Sequence, residues 1–359
     1  MIKININLPE RSYPIYITTG FGDLESCFEH AGIEGKVAVI TDENVDRYYS
    51  QKVQLELENA GRKFFKYIIK PGEGSKNLNT ISGIYSFLIN NGFDRQSSIV
   101  ALGGGVVGDI AGFAAATFLR GVNFIQMPTS LLAQADSSVG GKVGVDFKNC
   151  KNIIGAFYQP KFVYINVNSL KTLPARELKA GLAETLKHGL IIDENFYEYI
   201  EYNLEKIFYY DIDVLQHITK VNCRIKGDIV EKDEKESCLR AILNFGHTIG
   251  HAVESMSDFK LLHGECVAVG IIGAYKMARY LGMVSEDTVS RVIKTVERIG
   301  LPVYIKGLDI EQVYNQMFYD KKVKKGILNF ILPKRIGEVI ICSVEDQTII
   351  KSVLSEIIK

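Results

Sequence analysis

The sequence predicts an α/β domain built on a parallel sheet, followed by a mainly α-helical domain. Three observations carry this expectation. In the first half, apolar runs of strand length alternate with stretches of helical period, the pattern of a sheet wound with helices. From about residue 168 the apolar residues fall instead at spacings of three and four, which marks one face of a helix. Finally, 359 residues at roughly 150 per domain make two cores, each able to stand without disulfides.

Taken in order, residues 2–8 and 13–18 alternate apolar and polar side chains and can pair as a hairpin. Strands are then expected at Lys36–Thr41, Lys63–Ile69, Ser98–Leu102, Asn123–Met127 and Lys161–Asn166, with helices near 44–60, 76–92 and 105–118. The second half reads as helices over Ala180–Ile192, Val214–Glu231, Leu243–Ser255, Gly264–Leu281 and Ser285–Ile299. Pro174 opens a helical stretch, and Gly300-Leu-Pro302 ends another, glycine stopping the helix and proline preventing its resumption. The domain boundary is expected within 167–175. A last alternating pair, Ile327–Leu332 and Glu338–Val344, reads as a hairpin, and Gln347–Ile358 as a closing helix.

Composition excludes several classes of partner. The 42 Lys and Arg balance the 42 Asp and Glu, so the global basic excess that draws proteins to nucleic acids or anionic membranes is absent, and neither is expected as a partner. The six cysteines, at 27, 150, 223, 238, 266 and 342, form no C-x-x-C pair and read as free thiols in a reducing compartment. The start, Met-Ile-Lys-Ile-Asn-Ile-Asn-Leu, alternates like a strand and lacks the unbroken apolar run of a signal peptide. The longest apolar stretch, Cys266 to Tyr275, stops well short of the ~18 residues a membrane span needs. A cytoplasmic protein is expected.

Two constellations carry chemistry. Gly103-Gly-Gly-Val-Val-Gly108-Asp109 follows an expected strand and opens an expected helix, and glycines 103, 105 and 108 satisfy G-x-G-x-x-G. Such a turn lets backbone amides and a helix N-terminus approach a pyrophosphate. An ordinary dinucleotide fold would place an acidic residue ~20 positions later, at the next strand end. Here that strand ends in Met127-Pro-Thr-Ser130, and the strand-end carboxylates come earlier, in Thr41-Asp42-Glu-Asn and Pro71-Gly-Glu73-Gly. The same glycines would equally let a helix pack closely on a sheet. The second constellation is Asn244-Phe-Gly-His247-Thr-Ile-Gly-His251, whose imidazoles at i and i+4 share a helix face, with His263 of Leu262-His-Gly-Glu265 close behind. Glu184 or His188 could complete the group. A His/His/Glu set with an open position is catalytic zinc chemistry, although the Glu of H-E-x-x-H is absent. The alternative is core histidines beside helix glycines.

Cations sit near both. Asp136-Ser-Ser-Val-Gly-Gly-Lys142 and Lys151-Asn152 place lysines and an amide beside glycine turns, equipment for holding a phosphate, though each alone also suits a solvated surface. Arg120 could cap its helix or reach an anion, and Lys226 with Arg240 could bracket a carboxylate. Lys321-Lys322-Val-Lys324-Lys325 by itself reads as a solvated loop. No G-x-S-x-G elbow or local cysteine signature supports a nucleophile.

Together these segments closely resemble the 3-dehydroquinate synthase family of the shikimate pathway. The similar stretches run from Thr41-Asp-Glu-Asn through Pro71-Gly-Glu-Gly-Ser-Lys76, Gly103–Asp109, Phe118-Leu-Arg-Gly121, Pro128–Lys142, Lys151–Pro160, Glu184–Lys187, Leu239–His251 and Leu262-His-Gly-Glu265 to Asp320-Lys-Lys322, in the family's order over most of the chain. The resemblance implies an N-terminal Rossmann-like domain, 1–170, that holds NAD. It also implies a mainly α-helical C-terminal metal-binding domain, 171–359, with the active site between the two. It gives Glu184, His247 and His263 as ligands of Zn2+ or Co2+. For NAD it implies Asp42, Glu73, Lys76, Gly104, Gly105, Asp109, Thr129, Ser130, Asp136, Lys142, Lys151 and Thr172. The phosphate of a sugar phosphate would meet Lys142, Asn152, Lys187, Asn244, His251 and, from the second subunit of a homodimer, Arg120. Lys226 and Arg240 would hold the substrate carboxylate, and Lys322 would close over the site.

The reaction implied turns 3-deoxy-D-arabino-heptulosonate 7-phosphate into 3-dehydroquinate and phosphate, with NAD regenerated in each turnover. Orientation and charge placement would supply much of the catalysis, so many anion-binding residues and few acid–base pairs are expected. Three positions depart from the family pattern. His188 stands where tyrosine is usual, and Cys150 and Cys238 stand where glycine is usual, which matters if those turns need a positive φ. His188, at i+4 from Glu184, is expected outside the ligand set. Related sugar-phosphate cyclases act on substrates without a carboxylate, against which Lys226 and Arg240 argue. A metal-dependent polyol dehydrogenase would not need the phosphate cluster and would release NADH. A non-enzymatic dinucleotide sensor leaves the His/His/Glu set unexplained.

Overall fold

The computed structural model describes residues 1–148, 150–236, 238–257, 260–319 and 328–359. The chain divides into two units, Met1–Leu173 with Tyr210–Lys235, and Pro174–Tyr209 with Glu236–Lys359.

Unit 1 is built on a seven-stranded sheet. Its strands are β1 (Ile2–Ile6), β2 (Tyr13–Thr18), β3 (Val37–Asp42), β4 (Phe64–Ile69), β5 (Ser98–Gly103), β6 (Asn123–Pro128) and β9 (Phe162–Asn166), in the order β1-β2-β9-β6-β5-β3-β4. Only the β1–β2 pair is antiparallel, Ile4 facing Ile15; every other pair is parallel. Parallel strands must be covered on both faces, and the alternation of side chains does this. Ala38 and Ile40 of β3 enter one apolar cluster with Ile84 and Leu88 of α4 (Leu78–Asn90) and Ile110 of α5 (Gly105–Thr117). Val37 and Val39 turn the other way, toward Phe28 of α1 (Leu24–His30) and Leu57 of α3 (Gln51–Asn59), the latter preceded by the short α2 (Glu43–Val45).

α5 is buried nearly all round, which its small residues permit. A Cβ on Gly112 would lie 2.3 Å from Val143 and 2.9 Å from Phe124, so this helix lies close against its neighbours and fixes its N-terminus at the end of β5. Val143 belongs to a hairpin absent from the expected strands, β7 (Lys142–Phe147) and β8 (Cys150–Phe157). Gly144 and Gly155 face each other there, and a Cβ on either would stand 2.6 or 2.5 Å from a carbonyl oxygen of the other strand. These two glycines permit close strand pairing, whereas Gly140 and Gly141 of the expected glycine turn, just before β7, have φ 102° and 66°.

Unit 2 is mainly helical, with α6 (Ala175–Ile192), α7 (Glu194–Tyr202) and α8 (Leu204–Phe208) before the chain re-enters unit 1. The expected domain division of 1–170 and 171–359 differs from this partition. The helix α9 (Ile212–Lys232) groups with unit 1, where a Cβ on Gly227 would lie 2.5 Å from Ile6 of β1. Helical period identifies a buried face but not the element that buries it. Unit 2 resumes with α10 (His247–Met256), α11 (His263–Tyr280), α12 (Glu286–Ile299), α13 (Ile310–Gln316), the hairpin β10 (Asn329–Arg335) and β11 (Glu338–Ser343), and α14 (Gln347–Ile357). The helix expected from Leu243 starts later. Residues Leu239–Asn244 form a 3-10 turn, and Gly246, at φ 78°, breaks the path before His247. The expected start of the last hairpin at Ile327 lies outside the described residues.

Candidate active site

In unit 2, three elements meet around one carboxylate. Glu184 of α6 is 1% exposed, and its Oε1 lies 3.6 Å from His247 Nε2 and 3.4 Å from His263 Nε2. Its Oε2 forms an ion pair with the equally buried Lys187, one helical turn further along α6. Among the described residues neither carboxylate oxygen finds a hydrogen-bond partner of ordinary geometry. The outer nitrogens of the two rings are held from behind: His247 Nδ1 lies 3.0 Å from the Phe245 carbonyl oxygen, and His263 Nδ1 3.3 Å from Glu254 Oε2. Both imidazoles therefore turn Nε2 toward Glu184. Ligand atoms around a tetrahedral zinc at about 2.05 Å stand about 3.3 Å apart, close to these separations. One carboxylate and two imidazoles with an unfilled fourth direction fit a divalent cation of catalytic type.

Electrostatics support the same fit. Burial is the largest influence on Glu184 and opposes its charge, yet Lys187 and the two histidines hold its carboxyl well below the usual range. Burial pushes His247 well below its ordinary pKa, leaving a neutral imidazole with a lone pair to offer. Burial works the same way on His263, but the Glu184 and Glu254 carboxylates outweigh it and push the ring up to about 10, so a proton occupies the place that a cation would take. His251, exposed on the same face of α10, brings its ring centroid to 5.1 Å from that of His247 and 5.8 Å from that of His263. Nitrogens of all three rings lie within 4.8 Å of one another. His251 is thus near enough to join the other two rings at one cation, while Glu184 is the more deeply buried and lies within 3.6 Å of both His247 and His263. His188 is wholly buried in α6.

The remaining expected residues of unit 2 fall nearby in sequence and fold. Arg240 is buried in the 3-10 turn. Asn244 ends that turn, donating its side-chain amide to Glu236 Oε1 at 2.8 Å and to the Ala241 carbonyl at 3.1 Å. Cys238 has φ −154° and Cys150 opens β8 without a positive φ, so neither occupies a backbone conformation that requires glycine. Lys322 lies outside the described residues.

In unit 1 the expected dinucleotide residues gather at the carboxyl ends of the parallel strands. Gly104 caps α5 in an extended conformation, and Thr129 N donates to Gly103 O at 2.9 Å, joining the ends of β5 and β6. A Cβ on Gly104 would stand 3.4 Å from Ser130 Oγ, and one on Gly105 3.2 Å from Ser137 Oγ. Asp109, one turn into α5, pairs with Lys76 Nζ at 2.6 Å, and Glu73 lies 3.8 Å from both Lys76 and Lys151. Burial favours a lowered pKa for Lys76, yet Asp109 and Glu73 reverse this and keep it a cation. Asp42 ends β3 and caps α2, accepting from the amides of Asn44 and Val45. Thr172 Oγ1 lies 2.6 Å from the hydroxyl of buried Tyr49. Asp136 pairs with Lys226 Nζ at 2.7 Å, within a π-helical turn over Ala133–Ser137. Lys142 opens β7, and Asn152, at φ 51°, donates its backbone N–H to Asp146 Oδ1 at 2.7 Å.

Arg120 stands apart from this cluster. It follows α5, whose 13 residues span about 20 Å at 1.5 Å each, so it lies at the far end from the glycine turn. Leu119 and Arg120 are both left-handed, at φ 50° and 68°. Side-chain L-residues in that region cost roughly 1–3 kcal/mol each, strain that an ordinary helix end does not need.

Sequence reasoning missed Glu254, the Phe245 carbonyl and Glu236, all of which hold expected site residues in place. For Glu254 a signal existed: it sits at i+7 from His247 and i+3 from His251 on one face of α10.

Residues 66–180 match the family described as 3-dehydroquinate synthase N-terminal, and residues 181–323 match 3-dehydroquinate synthase C-terminal. The chain is 60% identical to the 3-dehydroquinate synthase of Acetivibrio thermocellus over 358 residues, 99% of each. Among solved structures it resembles a 2-deoxy-scyllo-inosose synthase complexed with carbaglucose-6-phosphate, NAD+ and Co2+, with TM-score 0.88, 27% identity and 99% and 100% of the two chains covered. It shares the fold of the 2-epi-5-epi-valiolone synthase of Streptomyces hygroscopicus subsp. jinggangensis with NAD+ and Zn2+ bound, with TM-score 0.91, 24% identity and 98% of both chains covered.

Proposed function

The chain belongs to the 3-dehydroquinate synthase family, and we propose how its own residues divide the work of that reaction. The enzyme is a phosphate-eliminating cyclase, dependent on NAD and a divalent metal, that converts 3-deoxy-D-arabino-heptulosonate 7-phosphate to 3-dehydroquinate. When bound, NAD supplies a reversible hydride acceptor and the metal a Lewis acid that makes a substrate hydroxyl more acidic.

Glu184, His247 and His263 hold the metal through one oxygen and two Nε2 atoms; the convergence of both rings on a buried carboxylate is the observation that carries this. Lys187 balances the charge of Glu184 and is assigned to the substrate phosphate. His251 and Asn244 serve that phosphate, the latter oriented by Glu236. Arg240 offers a planar fork for the carboxylate that inosose- and valiolone-forming relatives do not need. Lys322 would close over the substrate.

In unit 1 the amides of Gly104 and Gly105 and the start of α5 receive the pyrophosphate. Asp42 takes ribose hydroxyls, Thr129, Ser130 and Thr172 line the dinucleotide, and Glu73, Lys76, Asp109 and Lys151 form a charge-balanced wall. Lys226, held by Asp136, meets the substrate carboxylate, and Lys142 and Asn152 its phosphate. The strained Arg120 serves a second subunit of a homodimer, for which exposed Phe147, Ile153 and Phe157 on the β7–β8 hairpin supply an apolar surface. Work in the shikimate pathway in the cytoplasm fits a chain in which no described helix is long and apolar enough to cross a membrane.

The test is His263→Ala. It is expected to lose bound metal and activity together while NAD binding, carried by unit 1, survives; full activity with normal metal content contradicts the ligand assignment.

A further inference from the structure

We propose that Glu254 is a positioning residue of the metal centre, whose carboxylate fixes the orientation and tautomer of His263 and so commits Nε2 to the ion. The inference rests on the reading of Glu184, His247 and His263 as ligands and adds a residue that touches neither metal nor substrate.

An imidazole has two nitrogens, and whichever one donates a hydrogen bond leaves the other's lone pair for a metal. For His263 the choice is made by two carboxylates at opposite edges of the ring. Glu254 Oε2 lies 3.3 Å from Nδ1, while Glu184 Oε1 lies 3.4 Å from Nε2. The side chain of Glu254 is only 8% exposed. A carboxylate held that far from water is costly without compensation, and His263 supplies part of it. His263 is also the first residue of α11; packing of that helix start against α6, where a Cβ on Gly264 would stand 2.0 Å from the Ala180 carbonyl oxygen, places the backbone but does not set the ring's angle. A charged acceptor on the preceding helix does.

The comparison with His247 sharpens the point. That ring is oriented by a neutral group, the Phe245 carbonyl two residues away on its own chain segment. The two histidines are therefore unequal ligands: a carboxylate behind an imidazole raises its basicity more than a carbonyl does. Glu254 also brings a second negative charge near the cation while Lys187 offsets that of Glu184. Loss of Glu254 should thus weaken metal binding although every ligand remains.

The experiment compares Zn2+ affinity, by competition with a chromophoric chelator, in the full-length protein and in Glu254→Gln, Glu254→Ala and His263→Ala. Removing such a partner is expected to weaken binding about 10–100-fold, so Glu254→Ala should fall in that range. Glu254→Gln should lie between it and the parent, because the amide oxygen still accepts from Nδ1–H but carries no charge. The visible spectrum of the Co2+ form should shift in Glu254→Ala and return toward the parent's in Glu254→Gln, which a merely structural role would not produce. NAD binding checks that each variant is folded. Parent-like Zn2+ affinity in Glu254→Ala, with affinity lost in His263→Ala, overturns this proposal alone. Parent-like affinity in His263→Ala overturns the ligand reading beneath it. Should Glu254→Ala fail to fold, the size-preserving Glu254→Gln decides, and unchanged affinity there overturns the proposal.

Discussion

Arg240 ranks among the largest side chains the chain buries, with 2% of its surface exposed. A guanidinium removed from water needs oxygen partners in a matching plane, and a carboxylate is the best of them. If it holds the substrate carboxylate, Arg240→Ala forfeits a charge-assisted bond of roughly 1.5–3 kcal/mol, about 10–100-fold in the KM for the heptulosonate phosphate. The affinity for NAD should be unchanged, and equal losses in both would instead indicate a damaged fold. At this scale the site was largely legible. His247, His251 and His263 were visible because histidine is scarce and these three crowd into a short span. Glu254 had only its place on the histidine face of α10 to mark it, and Glu236, outside any helix, had no spacing signal at all; only the folded chain shows which glutamate faces a histidine or an asparagine.

Two elements position this chemistry through packing. α5 carries the glycine turn, and its Gly112 leaves no room for a methyl group beside Val143 and Phe124. Gly112→Ala should therefore lower stability by about 1–3 kcal/mol through overpacking, measured as a fall in the unfolding midpoint; an unchanged midpoint would mean that α5 can shift freely. α11, which begins at His263, is tied to α14 by Glu356, which accepts from Lys276, from Arg279 at 2.9 Å and from Tyr280 at 2.7 Å. Burial opposes the charge of Glu356, but these donors hold its carboxyl below the ordinary value. A carboxylate with a depressed folded pKa stabilises above its unfolded pKa and loses that contribution as pH falls through the folded one. Glu356→Gln should thus lower the unfolding midpoint at neutral pH, with the gap closing below about pH 4; a gap independent of pH would assign the effect to shape alone.

The same scale shows what periodicity can reveal. The seven strands of the sheet, α5 and the long helices were legible because their apolar spacing is regular. α1, α7, α8 and α13, of 7, 9, 5 and 7 residues, are too short to establish a period. The β7–β8 hairpin escaped notice because Gly144 and Gly155, which face each other across the paired strands, interrupt the apolar alternation that marks a strand. α9 was legible as a helix, yet its grouping with unit 1 depends on Gly227 against Ile6, a contact remote in sequence.

Across the whole molecule, the residues expected to hold NAD lie in unit 1 and the expected metal ligands in unit 2, and the chain passes from one unit to the other at 173/174, 209/210 and 235/236. The charge is balanced, 42 cations against 42 anions, and the cations proposed for the site, Lys76, Lys187, Lys226 and Arg240, are buried locally rather than spread over a surface. A cyclase needs both cofactors in a single turnover, whereas a polyol dehydrogenase of similar layout would leave NADH behind. Phosphate release from 3-deoxy-D-arabino-heptulosonate 7-phosphate, followed with substoichiometric NAD and added Zn2+ beside a chelator-treated control, separates the two most directly. The expected result is release over many turnovers that requires both NAD and metal, with no net rise in NADH absorbance. No phosphate release from this substrate, with NADH accumulating from simple polyols, would contradict it.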